Sequence, residues 1–261
     1  MFVRWALLGA VIVSPLTPQT PAASLQQALG LFNSGKYKEC FNVVAPYVVQ
    51  NPNSAAAHKL LGMDQFMLGN SREALAEVQR ATELDPTDAE AFYYLGRLNF
   101  STDNATAALE AFQKSLQLDP ASVRSHNQLG QTYESFGRSA DAENEYQKAI
   151  ALQQDQAKKS EWPYYNLGLL YYNNGRAQDS ISYFRRALYC NPAFAEAKIK
   201  LAVVLANQKS GPEALELLKQ AIQTEPRNAE AHYRMALLLS QSGKPEEARE
   251  HFALFEKYRK P

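Results

Sequence analysis

Along this chain, large apolar side chains recur at fixed offsets from small ones. A Gly or Ala is followed twelve residues later by a second small residue, and in most cases a Pro lies twelve residues beyond that. Gly62, Ala74 and Pro86 form one such series, and Gly96, Ala108 and Pro120 form the next, 34 residues on. Between these marks the apolar positions follow helical spacing, so each 34-residue unit predicts two helices joined by a turn. Units begin at Pro21, Ala55, Ala89, Val123, Glu161, Ala195 and Ala229, and only residues 157–160 are extra. A unit of this kind cannot bury its apolar face alone, so neighbours must stack. The period therefore predicts a solenoid rather than a globular enzyme core.

Within each unit the residue types fit close helix pairing. Small residues at positions 8, 20 and 27 let the two helices approach, and large ones at 4, 11 and 24 fill the space beside them. Gly35, Gly69, Gly137, Gly175 and Gly243 fall at the turn between helices, where a left-handed backbone is cheap for Gly. Asp85-Pro86, Asp119-Pro120 and Asn191-Pro192 stop the second helix, because the residue before a Pro is pushed out of the helical region.

The unit resembles the tetratricopeptide repeat (TPR). In the fifth unit Tyr164, Leu167, Gly168, Tyr171, Phe184, Ala187 and Pro192 match the family pattern, with Ser180 where the family has Ala. The resemblance covers nearly the whole chain after residue 23. It implies an all-α, right-handed superhelical solenoid of about fourteen antiparallel helices, acting as a non-catalytic scaffold or adaptor for other proteins. The organisation expected is a signal peptide over 1–23, repeats one to four over 24–156, extra residues and a possible bend at 157–160, and repeats five to seven over 161–261.

The first residues stand apart. Arg4 is the only charge before a twelve-residue uncharged run, Trp5 to Leu16, and small residues follow. This is the layout of a secretory signal peptide, with cleavage after Ala22 or Ala23. The run is too short to span a bilayer as a helix. An uncleaved anchor or a tail is the alternative. Export would place the protein in the periplasm or outside the cell, with no stable membrane span after cleavage. Ser24 and Gln27 would then form a capping box on the first helix.

Composition narrows the partner class. Lys plus Arg and Asp plus Glu number 27 each, so nothing in the charge balance favours nucleic acid. Cys40 and Cys190 fall in the first and fifth repeats, too far apart for a disulfide within one solenoid. Cys40 stands at a small-residue position and reads as packing. His58, His126 and His232 all occupy position 4 of different units, so they cannot share a metal, and they too read as packing. No metalloprotease, esterase or phosphate-loop motif is present. Neither a cofactor, a metal nor catalysis is expected. Asn104-Ala-Thr106 is a glycosylation sequon or, more simply, a polar turn.

Two features mark particular units. In the fourth, Gln154 replaces the closing Pro and Glu143 an apolar residue, so the second helix is expected to run on through residues 153–159 until Ser160 caps the next. In the last, Arg249 and Glu256 stand where other units hold Leu109 with Leu116 or Ile181 with Leu188. Those charges suit the exposed end of a stack.

By the resemblance, the concave groove is lined by positions 2, 5, 9, 12 and 13 of each first helix. Those positions hold Lys59, Met63, Phe66, Met67, Tyr93, Arg97, Phe100, Trp162, Tyr165, Leu169, Tyr172 and Asn173, with Arg124, Asn127, Gln131 and Glu134 between them. Aromatics, Met and Arg are the types that carry interface energy. Two apolar patches around a polar saddle suit an extended peptide or a helix. The carboxylate clamp of TPR co-chaperones is not matched, because the first repeat has Leu25 and Leu29 where that clamp needs Lys and Asn. The other readings are a structural or assembly subunit of an envelope machine, such as a secretion or pilus system, and, more distantly, an enzyme.

Overall fold

The computed structural model describes residues 21–259, so the expected signal peptide lies outside the described residues apart from the few that begin the first helix. Among the described residues there are fourteen α-helices and no strand. They fall into two compact units, one ending at Pro86 and one running from Thr87 to Pro261.

The first unit holds two helix pairs. In one, α1 (Pro21–Asn33) packs on α2 (Tyr37–Gln50); in the other, α3 (Ala55–Met67) packs on α4 (Ser71–Leu84). Ala28, Cys40, Val44, Ala57 and Leu61 form one core. Cys40 is fully buried, as its small-residue position requires, and both cysteines are free thiols. Helix α1 begins at Pro21, so Ser24 lies inside it and does not cap it.

The second unit holds five pairs in succession. Its first-position helices are α5 (Ala89–Ser101), α7 (Val123–Ser135), α9 (Trp162–Asn173), α11 (Ala195–Asn207) and α13 (Ala229–Gln241). Their partners are α6 (Ala105–Leu118), α8 (Ser139–Leu152), α10 (Ala177–Cys190), α12 (Gly211–Thr224) and α14 (Pro245–Tyr258). Each pair also packs on the next.

Local signals explain the helix ends. The Asp88 carboxylate accepts from the amides of Glu90 and Ala91 at 2.9 and 3.1 Å, and Ser54, Ser122 and Asn228 cap their helices in the same way. Such a cap contributes about 1 kcal/mol. Asn104 caps α6 through its side chain, which gives the sequon residue a structural role. At the other ends, Asp85 and Asn191 take extended conformations before their prolines.

The pairs meet at glycines. A Cβ placed on Gly96, Gly130 or Gly168 would lie 2.6, 2.5 or 2.9 Å from the ring of Phe112, Tyr146 or Phe184. The small residue at position 8 is thus the seat of the aromatic at position 24. At the turns, Gly137 has φ 69°, and in the units lacking Gly there, Asp103 and Lys209 take φ 58° and 63°.

The fourth repeat departs from expectation. Helix α8 stops at Leu152 rather than running to residue 159. Gln153, fully buried, closes the following loop with its amide: Nε2 donates to the Ser160 carbonyl at 3.0 Å and Oε1 accepts from the Ser160 amide at 2.8 Å. A buried side-chain amide satisfied on both sides offers the chain a better end than further exposed helix. Residues 157–160 lie within the second unit. At the C-terminal end, Arg249 pairs with Glu246 and Glu256 with Arg259, while Phe255 packs on Tyr233 and Tyr258 on His232.

Candidate functional site

Helices α5, α7 and α9 present one concavity of about 450 Å³, lined by Tyr93, Arg97, Val123, Arg124, Asn127, Gln128, Gln131, Ser160, Trp162 and Pro163. All of these residues belong to the second unit. Tyr93 and Arg97 are one helical turn apart on α5, Asn127 and Gln131 one turn apart on α7, and Trp162 opens α9 beside Pro163, whose fixed φ suits a first turn.

The charged groups are held by aromatic faces. The Arg124 guanidinium lies 4.8 Å from the centre of the Tyr93 ring and donates to Glu90 at 3.2 Å. Burial works against the Arg124 charge, but that hydrogen bond, with the pull of the Tyr93 and Tyr94 phenol oxygens and of the Glu90 charge, outweighs it and raises its pKa. Arg97 sits 5.9 Å from the rings of both Tyr93 and Tyr94. Burial also keeps the Tyr94 phenol neutral by raising its pKa. Deeper in, Asn166 Nδ2 donates to Asn127 Oδ1 at 2.9 Å with both residues buried, which ties α9 to α7.

Trp162 is 44% exposed, although aromatics support it on two sides. Its ring meets Tyr165 edge-on at 6.0 Å and Phe194 at 4.9 Å. Phe194 also lies 5.0 Å from Tyr165. Phe194 stands at the N-cap of α11, where four other units have Ser, Asp or Asn, and it makes no side-chain cap. The chain gives up a cap there and gains a rigid seat for Trp162.

Of the residues expected in the groove, Tyr93, Arg97, Asn127 and Trp162 come together here, with Arg124 and Gln131 of the polar saddle. Tyr165 is buried behind Trp162, and Leu169 packs against the core of the second unit. Phe100 is half-buried and Tyr172 and Asn173 are exposed, all outside the concavity. In the first unit Lys59 and Phe66 are half-buried, Met63 is buried and Met67 is 46% exposed. Sequence reasoning missed Val123, Gln128, Ser160 and Pro163, and above all Phe194. The signal for Phe194 was an aromatic at a position where the other units place a capping side chain.

The histidines are clasps between paired helices. In His58 and His126, Nε2 donates to the carbonyl of Pro52 or Pro120, at 3.0 and 3.1 Å, and Nδ1 lies 2.6 Å from Glu77 or Glu145. His232 repeats the pattern with Pro226, but its Nδ1 meets His251 at 2.9 Å. Burial first, and then His232, push the His251 pKa down. Among the described residues no group of three or more His, Cys, Asp or Glu has the arrangement to hold a metal.

Comparison with known proteins agrees with this architecture. One sequence profile described as Tetratricopeptide repeat matches residues 59–123 and 165–224, a second matches 208–255, and a third 111–144. No curated protein sequence matches the chain. Among solved structures, MamA is similar at 25% identity with a TM-score of 0.54, covering 63% of this chain and 94% of its own. PilW, described as a widely conserved type IV pilus biogenesis factor, is similar at 20% identity with a TM-score of 0.70, covering 78% of this chain and 92% of its own. YrrB, described as a TPR protein with an unusual peptide-binding site, is similar at 22% identity with a TM-score of 0.53, covering 69% and 91%.

Proposed function

Because the chain belongs to the tetratricopeptide repeat family, we propose that this protein-interaction scaffold takes a peptide or a helix of its partner in the α5–α7–α9 concavity. The observation that carries the reading is Trp162, exposed at the rim yet wedged against Tyr165 and Phe194. A large aromatic that is rigid before binding loses little conformational entropy when a partner covers it. Arg97 and Arg124 beside it supply directional donors.

Export belongs to the same reading, because the segment before residue 23 has the charge and apolar layout of a cleavable leader. Among the described residues no helix is long and apolar enough to cross a membrane. N-terminal sequencing of exported protein tests this: Ala23 or Ser24 as the first residue supports it, and Met1 sinks it.

A second reading, docking through the outer helices as part of an envelope assembly, rests on Tyr189 of α10, which is 86% exposed. The fold shared with PilW is compatible with it. One experiment separates the two. Partners are captured from an envelope fraction by wild-type protein, by Trp162→Ala and by Tyr189→Ala. Loss with Trp162→Ala alone supports the groove, and loss with Tyr189→Ala alone replaces it with the docking face.

A further inference from the structure

The last repeat departs from the others at two neighbouring positions. The clasp histidines His58 and His126 meet Glu77 and Glu145, whereas His232 meets His251 at the same place. Met235, about one turn beyond His232 on α13, stands where the preceding units hold Leu61, Leu95, Leu129, Leu167 and Leu201. The first change replaces a carboxylate by a second imidazole, and the second replaces an aliphatic side chain by a thioether. Met235 is 2% exposed and, with His251, lines a hollow of about 300 Å³ beside α12, α13 and α14.

The nitrogen lone pair of His232 is already aimed. The Pro226 carbonyl can only accept, so His232 Nε2, 3.1 Å from it, carries the ring proton and Nδ1 is left bare. That bare Nδ1 faces His251 Nδ1 at 2.9 Å. A backbone carbonyl on the far ring nitrogen is the usual way to orient a metal-binding histidine. Burial first, and then His232, hold the His251 pKa down against the pull of Glu250 and Glu247, so that ring is neutral near pH 7, as a metal ligand must be.

We propose that His232, His251 and Met235 form a binding site for a soft monovalent metal ion, Cu(I), held by the two Nδ1 atoms and the thioether sulfur. The site is independent of the α5–α7–α9 concavity. The proton now shared between the two Nδ1 atoms moves to His251 Nε2 as the ion enters, so no net proton is lost. At about 2.0–2.1 Å per bond, two imidazole nitrogens on one ion lie about 3.3–3.5 Å apart, and the rings must part by about half an ångström. Helix α14 packs on α13 alone, so it can give by that much. Thioether sulfur selects Cu(I). Zn(II) fits less well, because Lys219 and Lys244 line the hollow and its one carboxylate, Glu247, is paired with Lys244 at 3.0 Å.

The test is competition for Cu(I) between the full chain and the chelator bicinchoninate, without oxygen and without added thiols. The chain carries Cys40→Ala and Cys190→Ser so that no thiol competes, and Ala is what Ala74, Ala108 and Ala142 supply at the position of Cys40. Two further variants, Met235→Leu and His251→Glu, restore the residues that other repeats hold at those positions, and melting curves check that both stay folded. The expected result is one equivalent of Cu(I) bound, with affinity lower by about a hundredfold or more in either variant, since loss of even an outer partner costs about 10–100-fold. X-ray absorption at the copper edge should show two nitrogen neighbours and one sulfur, with the sulfur gone in Met235→Leu. Should the thiol-free chain not fold, the same two variants on the wild-type chain should each hold one equivalent of Cu(I) fewer than their parent. No Cu(I) bound, or Cu(I) held equally by His251→Glu, overturns the proposal. Tighter binding of Zn(II) than of Cu(I), or a copper site without sulfur, overturns the soft-ion assignment.

Discussion

His126 Nδ1 lies 2.6 Å from Glu145 Oε2, joining α7 to α8 at a point where Glu145 keeps only 8% of its side chain exposed. Both ring nitrogens of His126 face acceptors, since Nε2 reaches the Pro120 carbonyl. The same clasp between His58 and Glu77 is more open, with Glu77 at 27%. Glu145→Gln should therefore destabilise the protein by about 1.5–3 kcal/mol, the range for hydrogen bonds to charged groups, and Glu77→Gln by less. Burial works to raise the Glu145 pKa, but its bonds to His126 and Lys148 and the Lys148 charge outweigh it, and the folded value is lowered. A lowered carboxylate contributes stability above its unfolded pKa and loses it as pH falls through the folded value. Urea melts of wild type and Glu145→Gln should differ most near neutrality and converge below about pH 4.

Asp64 has the opposite sign. It is fully buried on α3, and burial raises its pKa to about 6, with the Cys40 thiol as hydrogen-bond donor working the other way. Its neighbour Cys40 is pushed up to about 12, first by burial and then by Asp64. A carboxyl whose folded pKa is raised favours the fold when protonated, so that contribution is lost as pH rises from the unfolded value toward 6. Asp64→Asn should stabilise the protein at pH 7 by about 2 kcal/mol and flatten the pH dependence between about 4 and 6. An Asn variant that is less stable than wild type at pH 7 would show that the Cys40 contact outweighs the cost of burying the charge.

Helix contact and turn geometry predict two changes of opposite direction. In Gly168→Leu the first added carbon already meets Phe184 at 2.9 Å, so overpacking should cost about 1–3 kcal/mol or more. Lys209→Gly should instead raise stability by about 0.5–1 kcal/mol, since Lys209 holds φ 63° and a left-handed backbone strains any residue with a Cβ. Thermal melts of the two variants should move in opposite directions.

At the concavity, Trp162→Ala should weaken partner binding by about 2 kcal/mol or more, as a hot-spot aromatic does. Its melting temperature should fall less than that of Leu167→Ala, since Leu167 is fully buried and Trp162 is 44% exposed. Phe194→Ser offers α11 a capping side chain but removes the ring 4.9 Å from Trp162. Binding should fall, and because Phe194 is itself buried in the core of the second unit, stability should fall as well, by about 2–4 kcal/mol after the gain of a cap, so binding is compared on folded protein. A Phe194→Ser variant that binds like wild type would show that Trp162 does not need its seat.

Where the chain repeats itself, the sequence was easy to read. Helices begin at Ala55, Ala89, Val123, Ala195 and Ala229, at the predicted starts, because small and large residues at fixed offsets admit one register of helix pairing. Interactions that depend on one particular pair of side chains were hidden. Glu77 and Glu145 each lie 19 residues beyond a histidine, and only the folded helix pair brings them to its ring. The end of α8 was misjudged for a related reason: helical spacing permits residues 153–159 to continue, and only the Gln153 amide on Ser160 shows that the chain turns. The concavity was legible as a set of positions on three helices, but Trp162 becomes a supported rim residue only once Phe194, 32 residues later, is seen against it.

The Gln153 closure has a consequence for how this chain tolerates change in length. Both bonds run to the main chain of Ser160, so the loop is fastened at its ends and its middle residues, 154–158, are all exposed. Just beyond it, the Asn166–Asn127 bond holds α9 to α7 as though no residues had been added. Insertions or deletions between the two fastened ends should leave the downstream helices in frame, at a closure cost that grows only slowly with loop length. That makes residues 154–158 the place in this molecule for a protease site, an epitope or a fluorophore, within one helix pair of the concavity and outside every buried contact that builds it.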